Sequence, residues 1–179
     1  MIAAFDVATS VGLCVGEPGA KQPFVTTWNM RAAGTARPRR LLYFSNLLDK
    51  LFKEHGIDEV WYEKPMAINI MNKIGASEET VLLLRGAIGV LEVAAERAGI
   101  SKIDSFSVQD ARHHFVGQRT FKKGKNGKSA AKDMVLIKCD EIGIKVVNDN
   151  ESDAVCGWHY ICALKNPKLA VLTTPLFQA

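Results

Sequence analysis

Three carboxylates stand among residues whose pattern suits apolar side chains. Asp6 lies in the run Ile2-Ala3-Ala4-Phe5-Asp6-Val7, Glu63 ends Asp58-Glu59-Val60-Trp61-Tyr62-Glu63, and Asp153 opens the apolar stretch Asp153-Ala154-Val155-Cys156. An ionised carboxylate taken out of water must be compensated, and neighbouring carboxylates raise one another's pKa. One or two Mg2+ ions would neutralise such oxygen ligands and clamp a phosphodiester for in-line attack by water, one ion activating the water and the other stabilising the leaving 3′ oxygen. A nearby lysine would offset charge on the pentacoordinate phosphate. Each acid also has a local reading: Asp6 bonding a turn at Thr9 or Ser10, Glu63 pairing with Lys64, and Asp153 partnering Asn150 in a helix capping box.

The elements that would position these acids follow from hydrophobic periodicity. Residues 2–7, 11–16 and 24–29 read as a meander of three short strands, and 58–63 and 102–106 as two more. Leu41, Leu42, Phe44, Leu47, Leu48, Leu51 and Phe52 recur at helical spacing, predicting a helix over 36–55 capped by Thr35 and ended near Gly56. Pro65 makes 64–76 a loop or short irregular helix. Ser77 opens a long helix, ending at Gly99, that is apolar almost all round and so is expected to bury more than one face. Helices capped by Ser107, over 129–142, and from near Asn150 to about Leu164 complete the chain. The order βββ-α-β-α-β-α-α-α predicts an α/β fold, a mixed five-stranded sheet flanked by helices, as one domain over 1–179.

Composition fits this reading. The chain has 179 residues, is 47% hydrophobic and carries a formal net charge of +4. No run approaches the roughly 20 apolar residues of a membrane span, and the first residues do not resemble a signal peptide, so a cytoplasmic location is expected. Cys14, Cys139, Cys156 and Cys162 form no Cys-x-x-Cys pair and read as buried thiols rather than zinc ligands or a disulfide framework. Basic residues gather at Arg31, Arg37, Arg39 and Arg40, and again at Arg119, Lys122, Lys123, Lys125, Lys128 and Lys132. The second group, in a Gly-rich loop, reads as a flexible basic finger that reaches DNA phosphates. Gly127-Lys128-Ser129 ends like a phosphate-binding loop, but Lys122 stands where that motif needs glycine.

Taken together, the motifs resemble the RuvC-type Holliday junction resolvases of the RNase H-like superfamily, in order along nearly the whole chain. Asp6-Val-Ala-Thr-Ser-Val-Gly12 is similar to the family's first-strand motif, and Tyr62-Glu63-Lys64-Pro65 to its second acidic motif. Leu84-Arg85-Gly86-Ala87 resembles the start of its long helix, and Glu151-Ser152-Asp153-Ala154 its closing acidic motif. The resemblance implies an RNase H-like fold, a homodimer packed through long helices, two Mg2+ or Mn2+ ions per acidic site, and symmetric nicking of four-way DNA junctions. It makes Asp6, Glu63 and Asp153 three of four metal ligands. The fourth falls at Asn150, with Asp149 and Glu151 on either side; Asp149 is the expected ligand, since it shares a helical face with Asp153, while the Asn150 amide oxygen could also coordinate. Lys132 matches a basic catalytic residue of the family, and Arg112 lies near another basic position, as a DNA contact. Met66 stands close to where relatives carry an aromatic that unstacks junction bases. Short length and the Glu-Lys-Pro motif suggest a phage-type or divergent branch. The alternatives are an RNase H-like nuclease acting on RNA, and an actin-like or non-catalytic nucleic-acid-binding module.

Overall fold

The computed structural model describes residues 1–73, 75–118 and 130–171. Its strands are β1 (Ile2–Asp6), β2 (Ser10–Gly16), β3 (Phe24–Asn29), β4 (Glu59–Glu63) and β5 (Lys102–Phe106). They form one mixed sheet in the order β3-β2-β1-β4-β5. The first three run antiparallel, as a meander must, and β4 and β5 add in parallel beside β1. Parallel neighbours need crossovers, supplied by α1 (Arg37–Glu54) ahead of β4, and by α2 (Ile68–Lys73) and α3 (Glu78–Arg97) ahead of β5. After the sheet come α4 (Val108–Val116), α5 (Ala130–Glu141), α6 (Asp149–Lys165) and α7 (Pro167–Val171).

Alternation along the strands divides the core in two. Ala3, Phe5, Leu13 and Val60 face α1 and α3, packing with Phe44, Leu48, Leu83 and Leu91. Ile2, Ala4, Cys14, Trp61 and Phe106 face the other way, toward Phe115 of α4, Val135 of α5 and Val155, Trp158 and Ile161 of α6. All four cysteines are buried free thiols. Among the described residues no helix is long and apolar enough to cross a membrane.

Three local expectations change. Ala36, not Thr35, is the N-cap of α1 and offers no side-chain cap; a proline in the first turn fixes the backbone there instead. The final helix starts at Asp149 with Asn148 as its cap, a shift whose cause lies in the site described below. The long helix α3 buries one face only: Leu82 and Val93 remain 45% and 63% exposed. Its apolar circumference exceeds what α1 and the sheet cover.

Candidate active site

β1 and β4 are adjacent and parallel, so their last residues, Asp6 and Glu63, emerge at the same edge of the sheet. Period-two alternation puts Asp6 on the face of Ile2 and Ala4, and Glu63 on that of Trp61, which is the face α6 covers. The third acid, Asp153, arrives on α6 and is 7% exposed. Carboxyl ends of parallel strands are where open α/β sheets gather their ligands.

A glycine brings the helix close enough. Gly12 pairs with Asp6 across the β1–β2 ladder, and a Cβ at Gly12 would lie 2.0 Å from the backbone oxygen of Asn150. Only the bare backbone admits the first turn of α6 there. A polar clamp then fixes that turn. The Asn148 side chain accepts from the Glu151 backbone N at 3.0 Å and its Nδ2 donates to Thr27 Oγ1 at 2.9 Å. Glu151 accepts from Val147 N at 2.9 Å and from Thr27 Oγ1 at 3.1 Å. The cap is thus Asn148, whose partner Glu151 closes back onto the backbone N of Val147, one residue before the cap, and it is not Asn150 with Asp153. Glu151 is used by this clamp, and Asn150 lies against Gly12 through its backbone. Asp149, one residue back, contacts the Lys132 ammonium from α5.

Burial and mutual repulsion disfavour the charged forms of Asp6 and Glu63. Burial first, then the charges of Glu63 and Asp153, push the Asp6 pKa up to about 8. Burial and Asp153 likewise raise that of Glu63. Arg112, on α4, donates from Nη2 to both carboxylate oxygens of Asp153 at 3.0 Å each. Burial disfavours both the Arg112 and the Lys132 cation, yet the acids around them, Asp153 for the first and Asp149 for the second, hold both above their ordinary pKa values. The donor chemistry, hard carboxylate oxygens that raise one another's pKa, suits a divalent ion such as Mg2+. The arrangement is not yet a cage: among the described residues no three His, Cys, Asp or Glu side chains are gathered as a group that could hold a metal.

One consequence is measurable without substrate. The ordinary Asp6 value is 3.8 and the folded value about 8, so between those pH values the folded state holds a proton that the unfolded state has lost. Stability must therefore fall as pH rises through this window. With chelator present, the wild-type melting temperature is expected to drop between about pH 5 and pH 8 more steeply than that of Asp6→Asn, which should be the more stable of the two at the alkaline end. Parallel profiles would contradict the buried-acid assignment.

Beside the acids, the loop after Glu63 is held by a contact that no local pattern announces: Arg85 of α3 donates from Nη2 to the backbone oxygen of Met66 at 2.8 Å. Met66, Ile68 and Ile70 are exposed around this anchor. The acids Asp6, Glu63 and Asp153 therefore share one site with Arg112 and Lys132, and Met66 lies three residues beyond Glu63 in the same strand-end loop. Lys122, Lys123, Lys125 and Lys128 lie outside the described residues. Thr27 and Asn148 were missed by sequence reasoning; the Asn148-x-x-Glu151 spacing was the available signal.

No protein-family model matches the sequence, and no curated protein does. Solved structures do. Thermus thermophilus RuvC in complex with Holliday junction substrate superposes with a TM-score of 0.64 at 17% identity, over 96% of this chain and 92% of that one. A second Thermus thermophilus RuvC structure gives 0.62 at 15% identity, over 92% and 95%. The yeast mitochondrial Holliday junction resolvase Ydc2 gives 0.60 at 12% identity, over 97% and 84%. With its mixed five-stranded sheet and flanking helices, the chain has the RNase H-like fold of RuvC.

Proposed function

We propose that this chain is a metal-dependent, structure-selective endonuclease that resolves four-way junctions and other branched DNA, as a single nuclease domain of a phage-type or divergent branch of the resolvases. The observation that carries this reading is the convergence of Asp6, Glu63 and Asp153, from two strand ends and a helix, on a fold shared with a protein solved on Holliday junction substrate. Asp6, Glu63, Asp153 and Asp149 would hold Mg2+, or Mn2+, with two ions per site. When bound, such ions supply Lewis-acid stabilisation to hydrolysis of a phosphodiester by water.

The chain's own residues do the rest. Lys132, kept charged by Asp149, places a positive charge beside the phosphate. Arg85 steadies the loop that carries Met66, whose exposed thioether wedges against unstacked bases. Lys122, Lys123, Lys125 and Lys128 contact backbone phosphates and give salt-dependent affinity.

Junction resolution needs two nicks, and the unpartnered face of α3 offers the means. Leu82 and Val93 there are large, apolar and exposed, and a second copy of the chain covers them in a two-fold dimer. The double variant Leu82→Glu, Val93→Glu is expected to run in light scattering at the 19.6 kDa of one chain, against twice that for the wild type. A wild-type mass of one chain would reject this interface.

The direct test incubates the protein with a labelled four-way junction, a matched linear duplex and a structured RNA, each with Mg2+ and with EDTA. Paired nicks confined to the junction and dependent on metal are expected. Cleavage of the RNA alone would move the activity to RNA, and absence of any cleavage by folded protein would overturn the nuclease reading.

A further inference from the structure

Arg112 is an unusual partner for an active-site acid. Its side chain is 20% exposed and that of Asp153 6%, so the pair is largely withdrawn from water, where a charge-assisted contact is strong and an unpaired acid is costly. Yet the guanidinium uses a single nitrogen, Nη2, for both Asp153 oxygens. Its Nε is buried and has no hydrogen-bond partner among the described residues. A structural arginine spreads its five donors over several acceptors; this one is held chiefly by one carboxylate. The other charges that face it are Glu63, which attracts it, and Asp6, whose carboxyl it influences in turn. Lys132 pairs instead with Asp149.

We infer that Arg112 is a stand-in cation: it occupies both oxygens of Asp153, and a divalent ion must displace it from that carboxylate to enter. Arginine and metal thus compete for one ligand. This inference rests on the metal-dependent reading above and adds regulation of the same site. Free of DNA, the chain loads metal weakly, because loading strips the guanidinium of its main anion. A DNA phosphate supplies another, so DNA and metal each favour binding of the other.

The test is calorimetric titration of Mg2+ into the full chain without DNA, for the wild type, Arg112→Gln, Arg112→Lys and Asp153→Asn. Arg112→Gln is expected to bind Mg2+ on the order of tenfold more tightly than the wild type, from loss of a competing charged hydrogen bond. Arg112→Lys should fall between them, and Asp153→Asn should lose most of the affinity. Thermal unfolding gives an independent readout. In EDTA, Arg112→Gln should melt lower than the wild type because Asp153 is left without its cation, and Mg2+ should raise its melting temperature by more. If Arg112→Gln does not fold, tighter Mg2+ binding by Arg112→Lys supports the inference and unchanged binding overturns it. Equal or weaker affinity in a folded Arg112→Gln, with Asp153→Asn still impaired, overturns the competition and leaves the nuclease reading standing. If neither wild type nor variants bind Mg2+, both fall.

Discussion

If the chain is the nuclease proposed above, Asp6→Asn is expected to lower junction cleavage by on the order of a thousandfold or more, because the carboxylate at this position would hold cations and, through them, the charge of the reacting phosphate. Affinity for the uncleaved junction in EDTA should change little, since on this reading binding would come from basic side chains that the substitution leaves intact. The same variant should be more stable than the wild type in alkaline chelator, where the buried Asp6 carboxyl, its pKa at about 8, otherwise must ionise. A dead enzyme that is also a better-folded one is a combination that generic damage does not produce. Normal cleavage by Asp6→Asn, measured on the labelled junction, would remove Asp6 from the chemistry.

Gly12→Ala is expected to be nearly as severe for a different reason. Its Cβ would meet the Asn150 backbone oxygen at 2.0 Å, and no side-chain rotation relieves a backbone clash. Either β2 or the first turn of α6 must move, at a cost of about 3 kcal/mol on the scale of overpacked interiors. For a chain of this size that corresponds to roughly 10 °C in melting temperature. Movement of α6 would also carry Asp149 and Asp153 away from Asp6, so cleavage should fall further than stability explains. Gly56→Ala is the matched control, since a Cβ there meets nothing within 4 Å. Equal melting temperatures for the two alanine variants would show that α6 does not rest on β2 as described.

The acids at strand ends were legible in the sequence because they interrupt a period-two pattern: Asp6 and Glu63 each close an apolar strand. The strand order was not, since pairing β4 beside β1 depends on crossover packing rather than on local pattern. The start of α6 shows where local rules run out. Asn148-x-x-Glu151 and Asn150-x-x-Asp153 both have capping-box spacing, and the choice falls to Thr27, a partner 121 residues away. Arg112 illustrates the same limit. As a basic residue near the site it suggested a DNA contact, whereas its bond to Asp153 spans 41 residues and no periodicity announces it. The apolar girth of α3 is visible in the sequence, whereas which side the chain leaves uncovered, with Leu82 and Val93 exposed, is not, because girth alone does not say where a neighbour packs.

The bond from Arg85 to the Met66 carbonyl gives α3 the character of a caliper arm. One side of this helix is the surface through which two copies would meet, and Arg85, close to its N-terminal end, grips the loop that would touch the bases. In a dimer closed along α3, the separation of the two Met66 tips is then set by a rigid rod and not by loop slack. The reach between the two points of base contact would become a dimension of the dimer, so that a junction would be measured by the protein before it was cut.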